Sequence, residues 1–445
     1  MLSTTQGRVA KSLVDYFRSV SQPTSVFSPF NRRIVAELAD ILEQDPMPWL
    51  LDASETRTAL ETSLLLPAGI HRQVLLGHVA AQELRQFYPS VGGTVPANDD
   101  DNDHKDNNDN NRFHAALRKT MEASREMLVD TIRNDTVQTN ETARGLVWLF
   151  PTMLTGWDRV DHLIDLGASA GLNLVADQRT FELRKDTSAT ANETRISVNE
   201  TKNSNGKKKD DNLESLLVGK GTSPNGKAQF SVDCSFIPAS LSLSCPTIVS
   251  RTGCDLNPFK LETEEDRARL QSYIWPDQLD RLERLQEGIA AHQSIRATQE
   301  IPLQAVSLPH GLPGFLQSIE SIENGINGNT NNNKDNLDQN GNRYVVIYNT
   351  YMTEYLENHG QDLRGYIGDW ARSTNQTVLW AQSEPAREEP LRSLAPVEHW
   401  CLWSVDLWEG NTGEHKRWNL AWVHPHLKRV DWFVDELDDF ATYFQ

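Results

Sequence analysis

Cysteine is scarce in this chain, which has only four in 445 residues. Cys234, Cys245, Cys254 and Cys401 stand singly, without a C-x-x-C pair. This spacing excludes the common zinc-binding and dithiol redox motifs. A chain of this length can bury a sizeable core and does not depend on a disulfide framework. The sequence therefore predicts neither a metal centre nor a disulfide-stapled fold.

Long apolar runs and an excess of positive charge are also lacking. No run approaches the roughly 18 apolar residues that span a bilayer, and the first twenty residues lack the apolar centre of a signal peptide. The formal net charge is -19, from 43 basic and 62 acidic residues, which disfavours binding to bulk nucleic acid. We expect an intracellular (cytoplasmic) protein acting on a small molecule or a protein away from membranes, in an oligomeric state that the sequence leaves open.

Three segments are rich in Asn, Asp, Lys, Gly, Ser and Thr and poor in apolar residues. Such segments bury too little apolar surface to offset the entropy lost on ordering. Ordered-looking sequence resumes abruptly on both sides of each one. We interpret them as disordered insertions between core elements, at residues 97–112, 185–227 and 324–342.

The remaining sequence indicates two domains. Residues 1–150 show apolar residues at three- and four-residue spacing, as in "RIVAELADILEQ", and predict an all-helical N-terminal domain. Residues 151–445 alternate short β-like runs with helical stretches, which predicts a mostly parallel sheet. The last two runs, "WCLWSVDLW" and "WNLAWVHP", flank a polar turn and predict a terminal antiparallel hairpin. Five α/β strands and a hairpin resemble the Rossmann-like sheet of class I S-adenosylmethionine-dependent methyltransferases.

The stretch "HLIDLGASAGLNLVADQ" places an acid and a small-residue turn after the first strand. Its G-x-x-x-G spacing differs from the G-x-G-x-x-G of dinucleotide enzymes and fits a D/E-x-G-x-x-x-G methyltransferase variant. Ligands of doubly wound sheets bind at such strand ends. In the alternative, the acid and glycines only form a tight turn. The cofactor-binding residues predicted here are Asp165, Gly167, Ser169, Gly171 and Asn173.

The second strand, "TIVSRTGCDLNP", ends in another acid. A carboxylate at this position can accept hydrogen bonds from ribose hydroxyls, so Asp255 and Asn257 are predicted to contact the cofactor. The alternative is that both residues cap the turn before Pro258 and the following helix.

The polar segment "VQTNETAR" precedes an apolar helix. Gln138 and Asn140 are predicted to close over the cofactor, and Arg144 to reach a ligand carboxylate. Helix capping, with Glu141 in the first turn, is the alternative.

The later strand ends supply the predicted catalytic residues. Asn349 and Tyr351 follow the fourth strand, and Glu384 ends the fifth. We expect them to line the substrate pocket, although tyrosines at strand ends are commonly core residues. His310, in "SLPHG", is a weaker candidate for a cofactor contact or a general base, and His71 is a further candidate base; a lone histidine is more often structural.

Several stretches together resemble the domain-of-unknown-function 2332 family. They are "HRQVLLGH", "FYPSVGG", "VQTNETAR", "IDLGASAGLNL", "RTGCDLNP", "YIWPDQLDRLERL" and "VVIYNTYMTEYL". The resemblance implies a methyltransferase-like fold and says less about the chemistry. The chain departs from the family pattern in its three insertions and in "SLPHG", where an acid is expected after the third strand.

Three functions follow as hypotheses. The first is an S-adenosylmethionine-dependent methyltransferase with an unknown acceptor, for which no metal is required. The second is a non-catalytic metabolite-binding or scaffold protein that keeps the same fold. An NAD-dependent oxidoreductase is the third, and the missing G-x-G-x-x-G disfavours it.

Overall fold

The computed structural model describes residues 3–96, 106–138, 141–185, 215–219, 230–235, 237, 243–327, 343–374, 376–397, 399–410 and 412–445. They belong to two compact units. The first comprises residues 1–141 and 260–286, and the second comprises residues 142–259 and 287–445. The sequence placed the division at residue 150 and assigned residues 260–286 to the α/β domain.

The first unit is helical and has its own apolar core. Its helices begin with recognisable caps: Ser3, Thr58 and Thr263 each form a capping box with the residue three positions on. The helices are α1 (Thr4–Val20), α2 (Pro29–Gln44), α3 (Pro48–Ser54), α4 (Ala59–Leu75), α5 (Gln82–Arg85), α6 (Asp106–Ala123), α7 (Arg125–Asn134), α9 (Glu264–Ser272) and the first part of α10 (Leu279–Arg296).

The second unit contains α8 (Leu146–Leu154), the end of α10, and α11 (Leu312–Asn327), α12 (Leu363–Thr374), α13 (Leu391–Leu394) and α14 (Val434–Tyr443). Its eleven described strands are β1 (Arg159–Leu166), β2 (Phe181–Lys185), β3 (Ser215–Val218), β4 (Phe230–Cys234), β5 (Thr247–Asp255), β6 (Leu303–Ala305), β7 (Tyr344–Thr350), β8 (Thr377–Pro385), β9 (Cys401–Trp408), β10 (His415–Val423) and β11 (Arg429–Trp432).

All eleven strands form one sheet, in the order β3-β2-β4-β11-β10-β9-β8-β7-β1-β5-β6. Within it, β6, β5, β1, β7 and β8 are consecutive neighbours and all parallel. The chain builds this part outward from β1, first to β5 and β6 and then to β7 and β8. The strand order therefore reverses beside β1, which is the topological switch point at which doubly wound sheets bind ligands.

The prediction of an α/β fold with a mostly parallel sheet is confirmed, and each of the seven predicted β-like runs contains a strand. The predicted hairpin is also confirmed, because β9 and β10 pair antiparallel. The short strands on the other side of the hairpin, β2, β3, β4 and β11, were not predicted from the sequence.

The predicted insertions were partly wrong. Helix α6 already begins at Asp106, and α11 continues to Asn327. Strand β3 lies inside the segment 185–227 and pairs antiparallel with β2. Its apolar run "LLV" is short and lies among polar residues, so it did not indicate a strand. Apart from Lys185, which ends β2, and Gly219, which follows β3, the remainder of the three predicted insertions lies outside the described residues.

Helix α8 explains why the second unit starts before residue 150. Every residue of α8 is buried, and a helix that is apolar on all sides belongs in a core. It packs with the sheet in the main apolar cluster of this unit.

A buried ion pair fixes the segment after β1 onto β5. Arg251 on β5 and Asp177 are 3% and 2% exposed, and two hydrogen bonds of 2.8 and 2.9 Å join the guanidinium to the carboxylate. Breaking such a pair leaves a buried charge without its partner.

Among the described residues, no helix combines the length and apolar character that crossing a membrane requires.

Candidate functional site

The turn after β1 is held tightly against β5. Gly167 and Gly171 have φ of 84° and 71°, and Ser169 between them also adopts a left-handed conformation, with φ of 49°. A Cβ atom added at Gly253 of β5 would lie 2.6 Å from the Cβ of Ala168. Gly253 therefore permits this close approach, and the small residues of the turn serve both its conformation and its packing.

Asp255, at the end of β5, closes this turn. Its Oδ2 accepts a hydrogen bond of 2.9 Å from the backbone amide of Ser169, and its Oδ1 accepts one of 2.9 Å from the amide of Asn257. These bonds provide the capping role given above as the alternative. They use two of the roughly four acceptor positions of a carboxylate. Asp255 is half-buried and Asn257 is exposed, so ribose contacts at both residues stay a prediction.

Asp165 lies beside Asp255 on the neighbouring strand, so the structure brings together the two acids that the sequence singled out. Its carboxylate is buried and accepts a 2.6 Å hydrogen bond from the hydroxyl of Tyr348. Burial is the main cause that raises the pKa of Asp165 to about 7, and the nearby charge of Asp255 acts in the same direction. This acid changes its protonation near neutral pH.

Asn173 forms hydrogen bonds within the fold. Its side-chain oxygen accepts a 2.9 Å bond from the amide of Gly145, and its backbone oxygen accepts a 2.8 Å bond from the indole of Trp148. These contacts attach the start of α8 to the segment after β1. They show what Asn173 does in the fold, and its predicted contact with a cofactor stays a prediction.

The "VQTNE" segment belongs to the first unit. Gln138 bonds weakly to Thr136 over 3.4 Å, and Asn140 lies outside the described residues. Glu141 is buried and forms ion pairs with Arg281 at 3.1 Å and Arg284 at 3.5 Å. The predicted closure of Gln138 and Asn140 over a cofactor stays a prediction.

Glu384, at the end of β8, is a buried hub for the turn after β7. One carboxylate oxygen accepts bonds from Asn349 Nδ2 at 2.7 Å and from the amide of Met352 at 3.1 Å. The other accepts bonds from the amide and hydroxyl of Thr353 at 3.1 and 2.7 Å. Burial nevertheless raises the pKa of Glu384 above its ordinary value. The indole N–H of Trp380 donates to the side-chain oxygen of Asn349 over 2.7 Å, so the geometry gives Asn349 and Glu384 a positioning role.

Tyr351 is the accessible member of the three predicted catalytic residues. It is half-buried and left-handed, with φ of 52°, and its amide donates to the carbonyl of Ser383 over 2.9 Å. The guanidinium of Arg144 lies 5.2 Å from the centre of its ring, and Arg144 is itself held by the carbonyl of Pro425. Burial raises the pKa of Tyr351 above its usual value, so the phenol keeps its proton at neutral pH.

Tyr351 lines a cleft of about 530 Å³ beyond the ends of β7 and β8. Clefts of this size commonly bind small molecules. Its far wall was not predicted from the sequence, because the segment "PAREEPLRSLAPVEHW" shows no helical or strand-like periodicity. We call it the Tyr351 cleft. The charged and aromatic side chains that line it are Tyr351, Glu354, Arg387, Arg392, His399 and Trp400.

Met352 connects the two strand ends. Its neighbour Tyr351 faces the cleft, while its own side chain packs on the turn after β1. A Cβ atom at Gly167 would lie 3.0 Å from the Cβ of Met352. The space above Gly167 is thus occupied on that side by a methionine, and a ligand at this turn has to lie alongside Met352.

The two candidate histidines occupy separate settings. The side chain of His310 is 69% exposed and lies 3.3 Å from Glu357. His71 is buried in the first unit, bonded to Ser90 over 2.8 Å, and burial lowers its pKa to about 4. His71 therefore stays neutral and fits the structural interpretation. In the described part of the chain, no group of three or more His, Cys, Asp or Glu side chains could hold a metal ion.

A comparison with family models matches residues 15–316 to a family described as an uncharacterized protein conserved in bacteria (DUF2332). The match covers more than half of the chain and includes most of the first unit together with β1, β5 and β6. Neither the curated proteins nor the solved structures contain a match.

Proposed function

Since this chain belongs to the DUF2332 family, whose description states no reaction, we propose from the geometry that it is an S-adenosylmethionine-dependent methyltransferase. The observation that carries the proposal is the reversal of strand order beside β1. Asp165 and Asp255 lie within the last two residues of β1 and β5 at this point, and a glycine-containing turn follows β1. Doubly wound sheets bind nucleotide-like ligands at such a position.

The residues around the turn fit the polar parts of that cofactor. Gly167, Ser169 and Asp255 are half-buried and thus accessible, and the carboxylate of Asp255 keeps acceptor capacity for ribose hydroxyls. Asp165, with a pKa of about 7, is placed one strand away. When bound, S-adenosylmethionine supplies an electrophilic methyl group on a cationic sulfur.

On the acceptor side, the chain contributes position more than acid–base chemistry. Asn349 and Glu384 hold the turn that carries Tyr351, and Tyr351 remains protonated at neutral pH. An acceptor that is already deprotonated needs no general base, because in-line transfer depends mainly on orientation. The Tyr351 cleft is the acceptor site in this proposal.

The buried, fully bonded state of Asn349 and Glu384 also favours a second candidate. A protein that binds a metabolite without turning it over needs the pocket and its supports but no reactive group facing it. Binding of the cofactor product alone does not separate the two functions, so turnover has to be measured as well.

The first experiment is calorimetric titration of the full chain with S-adenosylhomocysteine and, separately, with NAD. We expect S-adenosylhomocysteine to bind and NAD not to bind. D255N should weaken binding by about tenfold, the usual effect of losing one hydrogen bond to a charged group. D431N is the matched control, because Asp431 is also a half-exposed strand aspartate of the second unit, paired with Arg429.

Absence of S-adenosylhomocysteine binding overturns the proposal. Binding without methyl transfer from labelled S-adenosylmethionine, across carboxylate, amine and hydroxyl acceptors, supports the non-catalytic binder. An equal loss of affinity in D255N and D431N shows that the ligand lies elsewhere.

A further inference from the structure

The Tyr351 cleft is basic although the chain as a whole has a net charge of -19. Arg387 and Arg392 line it against one acidic side chain, Glu354. Arg144 adds a third guanidinium directly behind the ring of Tyr351. A concave surface that concentrates one sign of charge attracts ligands of the opposite sign.

Two arginines of the cleft have donor groups to offer. Arg387 forms an ion pair with Glu354 through one terminal nitrogen, whereas its Nε is buried and has no hydrogen-bond partner among the described residues. Arg392 is exposed, and its guanidinium has no ion pair within the described part of the chain. A guanidinium presents parallel N–H groups that match the two oxygens of a carboxylate.

The remaining walls are aromatic and apolar. The rings of Tyr351 and Trp400 line the cleft together with Ala395. The residues Leu394 and Val397, beside Ala395 in the chain, are 61% and 55% exposed. Aromatic rings at the surface provide a rigid apolar contact for a planar ligand, so the cleft suits a molecule with an apolar body and an anionic end.

The backbone of the cleft adopts a left-handed conformation at two positions. Tyr351 and His399 are both left-handed, with φ of 52° and 76°. Such conformations in non-glycine residues cost about 1 kcal/mol or more and persist where the surrounding structure fixes them, which is common at ligand sites. For Tyr351 the fixing contacts are the Glu384 hydrogen bonds to the next two residues.

We propose that the Tyr351 cleft binds a small aromatic carboxylate, with its carboxylate on Arg387 and Arg392 and its ring against Tyr351 and Trp400. This deepens the proposed function, on which it rests for the role of the ligand as substrate. The binding itself depends only on the cleft and can be measured without the cofactor.

The test uses the full chain and three probes that share one ring system: 2-naphthoate, the neutral 2-naphthamide and 2-naphthyl phosphate. Affinities are measured by calorimetry for wild type, for the double variant R387M/R392M and for R372M. The last is the matched control, because Arg372 is an exposed arginine of the same unit whose ion pair within the described residues is with Asp369 in its own helix. Each variant is first compared with wild type by its unfolding midpoint.

We expect 2-naphthoate to bind wild type and R372M equally, and R387M/R392M to lose at least about tenfold in affinity, as for lost charge-assisted hydrogen bonds. The amide should bind at least about tenfold more weakly than the carboxylate. E354Q should tighten binding, because it removes the competing carboxylate on Arg387.

Equal binding of 2-naphthoate and 2-naphthamide overturns the proposal, as does unchanged affinity in the double variant or a lack of 2-naphthoate binding. Tighter binding of 2-naphthyl phosphate than of 2-naphthoate overturns the carboxylate assignment in favour of a phosphate. S-adenosylhomocysteine binding is measured separately, so its absence beside bound 2-naphthoate rejects the methyltransferase and keeps the cleft assignment.

Discussion

The ends of β5 and β8 solve the same structural problem in two settings. Asp255 ends β5 and holds the left-handed Ser169 in the turn after β1. Glu384 is the next-to-last residue of β8 and holds the turn after β7, which contains the left-handed Tyr351. In each case an acid at the end of a neighbouring strand accepts backbone amides from the turn of a central strand.

The two acids differ in burial and in the number of donors that they satisfy. Asp255 is half-buried and accepts two hydrogen bonds. Glu384 is buried and accepts four. A buried carboxylate with four donors is committed to holding the fold, whereas a half-buried one with two donors keeps capacity for a ligand. Burial and the number of donors thus distinguish supporting acids from candidate binding acids at one edge of the sheet.

The largest effect is expected at Glu384. The substitution E384Q turns one acceptor oxygen into a donor, and two of the four donors that face it lose their acceptor. Unsatisfied buried donors cost 1–3 kcal/mol each, so we expect the free energy of unfolding to fall by about 4 kcal/mol. Denaturant unfolding followed by circular dichroism measures this change.

The control for E384Q is E357Q, because Glu357 is 70% exposed and pairs with the exposed His310. Exposed pairs of this kind contribute at most about 1 kcal/mol. If E384Q is no more destabilising than E357Q, the hub assigned to Glu384 is not what holds the turn.

Asp165 is a third acid at this edge of the sheet. It is buried like Glu384, but among the described side chains it accepts a hydrogen bond from Tyr348 alone. Its pKa in the folded protein is about 7, raised from 3.8. The folded protein then binds the proton more tightly than the unfolded chain, so the stabilisation is complete below the lower value and is lost as the pH rises through the higher one.

Between about pH 5 and about pH 8, this single group should lower the free energy of unfolding of wild type by about 3 kcal/mol relative to D165N. The variant is needed because burial of Glu384 contributes a change of the same sign. Denaturant midpoints at several pH values give both curves. Parallel curves for wild type and D165N contradict the proton uptake assigned to Asp165.

The smallest effect is expected at Asp255. D255N keeps one acceptor oxygen, and water can reach the half-exposed side chain, so the loss of stability should be about 1 kcal/mol. The same variant should weaken S-adenosylhomocysteine binding by more than its small loss of stability explains. A loss of stability as large as that of E384Q would remove the distinction between the two acids.

Much of the sheet followed from the sequence. The runs around β1, β5 and β7 are apolar and end in polar residues, and neighbouring parallel strands bring their ends to one edge. The meeting of Asp165 and Asp255 was predictable for that reason, because Asp165 is the next-to-last residue of β1 and Asp255 is the last residue of β5. The hairpin was predictable from the missing helix between β9 and β10.

Other features depend on contacts that a sequence does not display. The partners of Glu384 are residues 349 to 353, more than thirty positions earlier in the chain, and only the pairing of β7 with β8 brings them together. Strand β3 is a four-residue edge strand within a polar segment, too short to give a periodic signal. The far wall of the Tyr351 cleft comes from a segment without periodicity, and its place opposite Tyr351 is set by the fold.

The helical unit is assembled from two separated parts of the chain. Asp277 accepts a hydrogen bond from the amide of Phe30 at the start of α2, and Asp135 is bonded by Arg269 and Tyr273. A ribosome therefore delivers β1 through β5 before it delivers the residues that complete the earlier helices. Because domains fold as units during synthesis, the helical unit cannot complete its fold until residue 286 has left the ribosome.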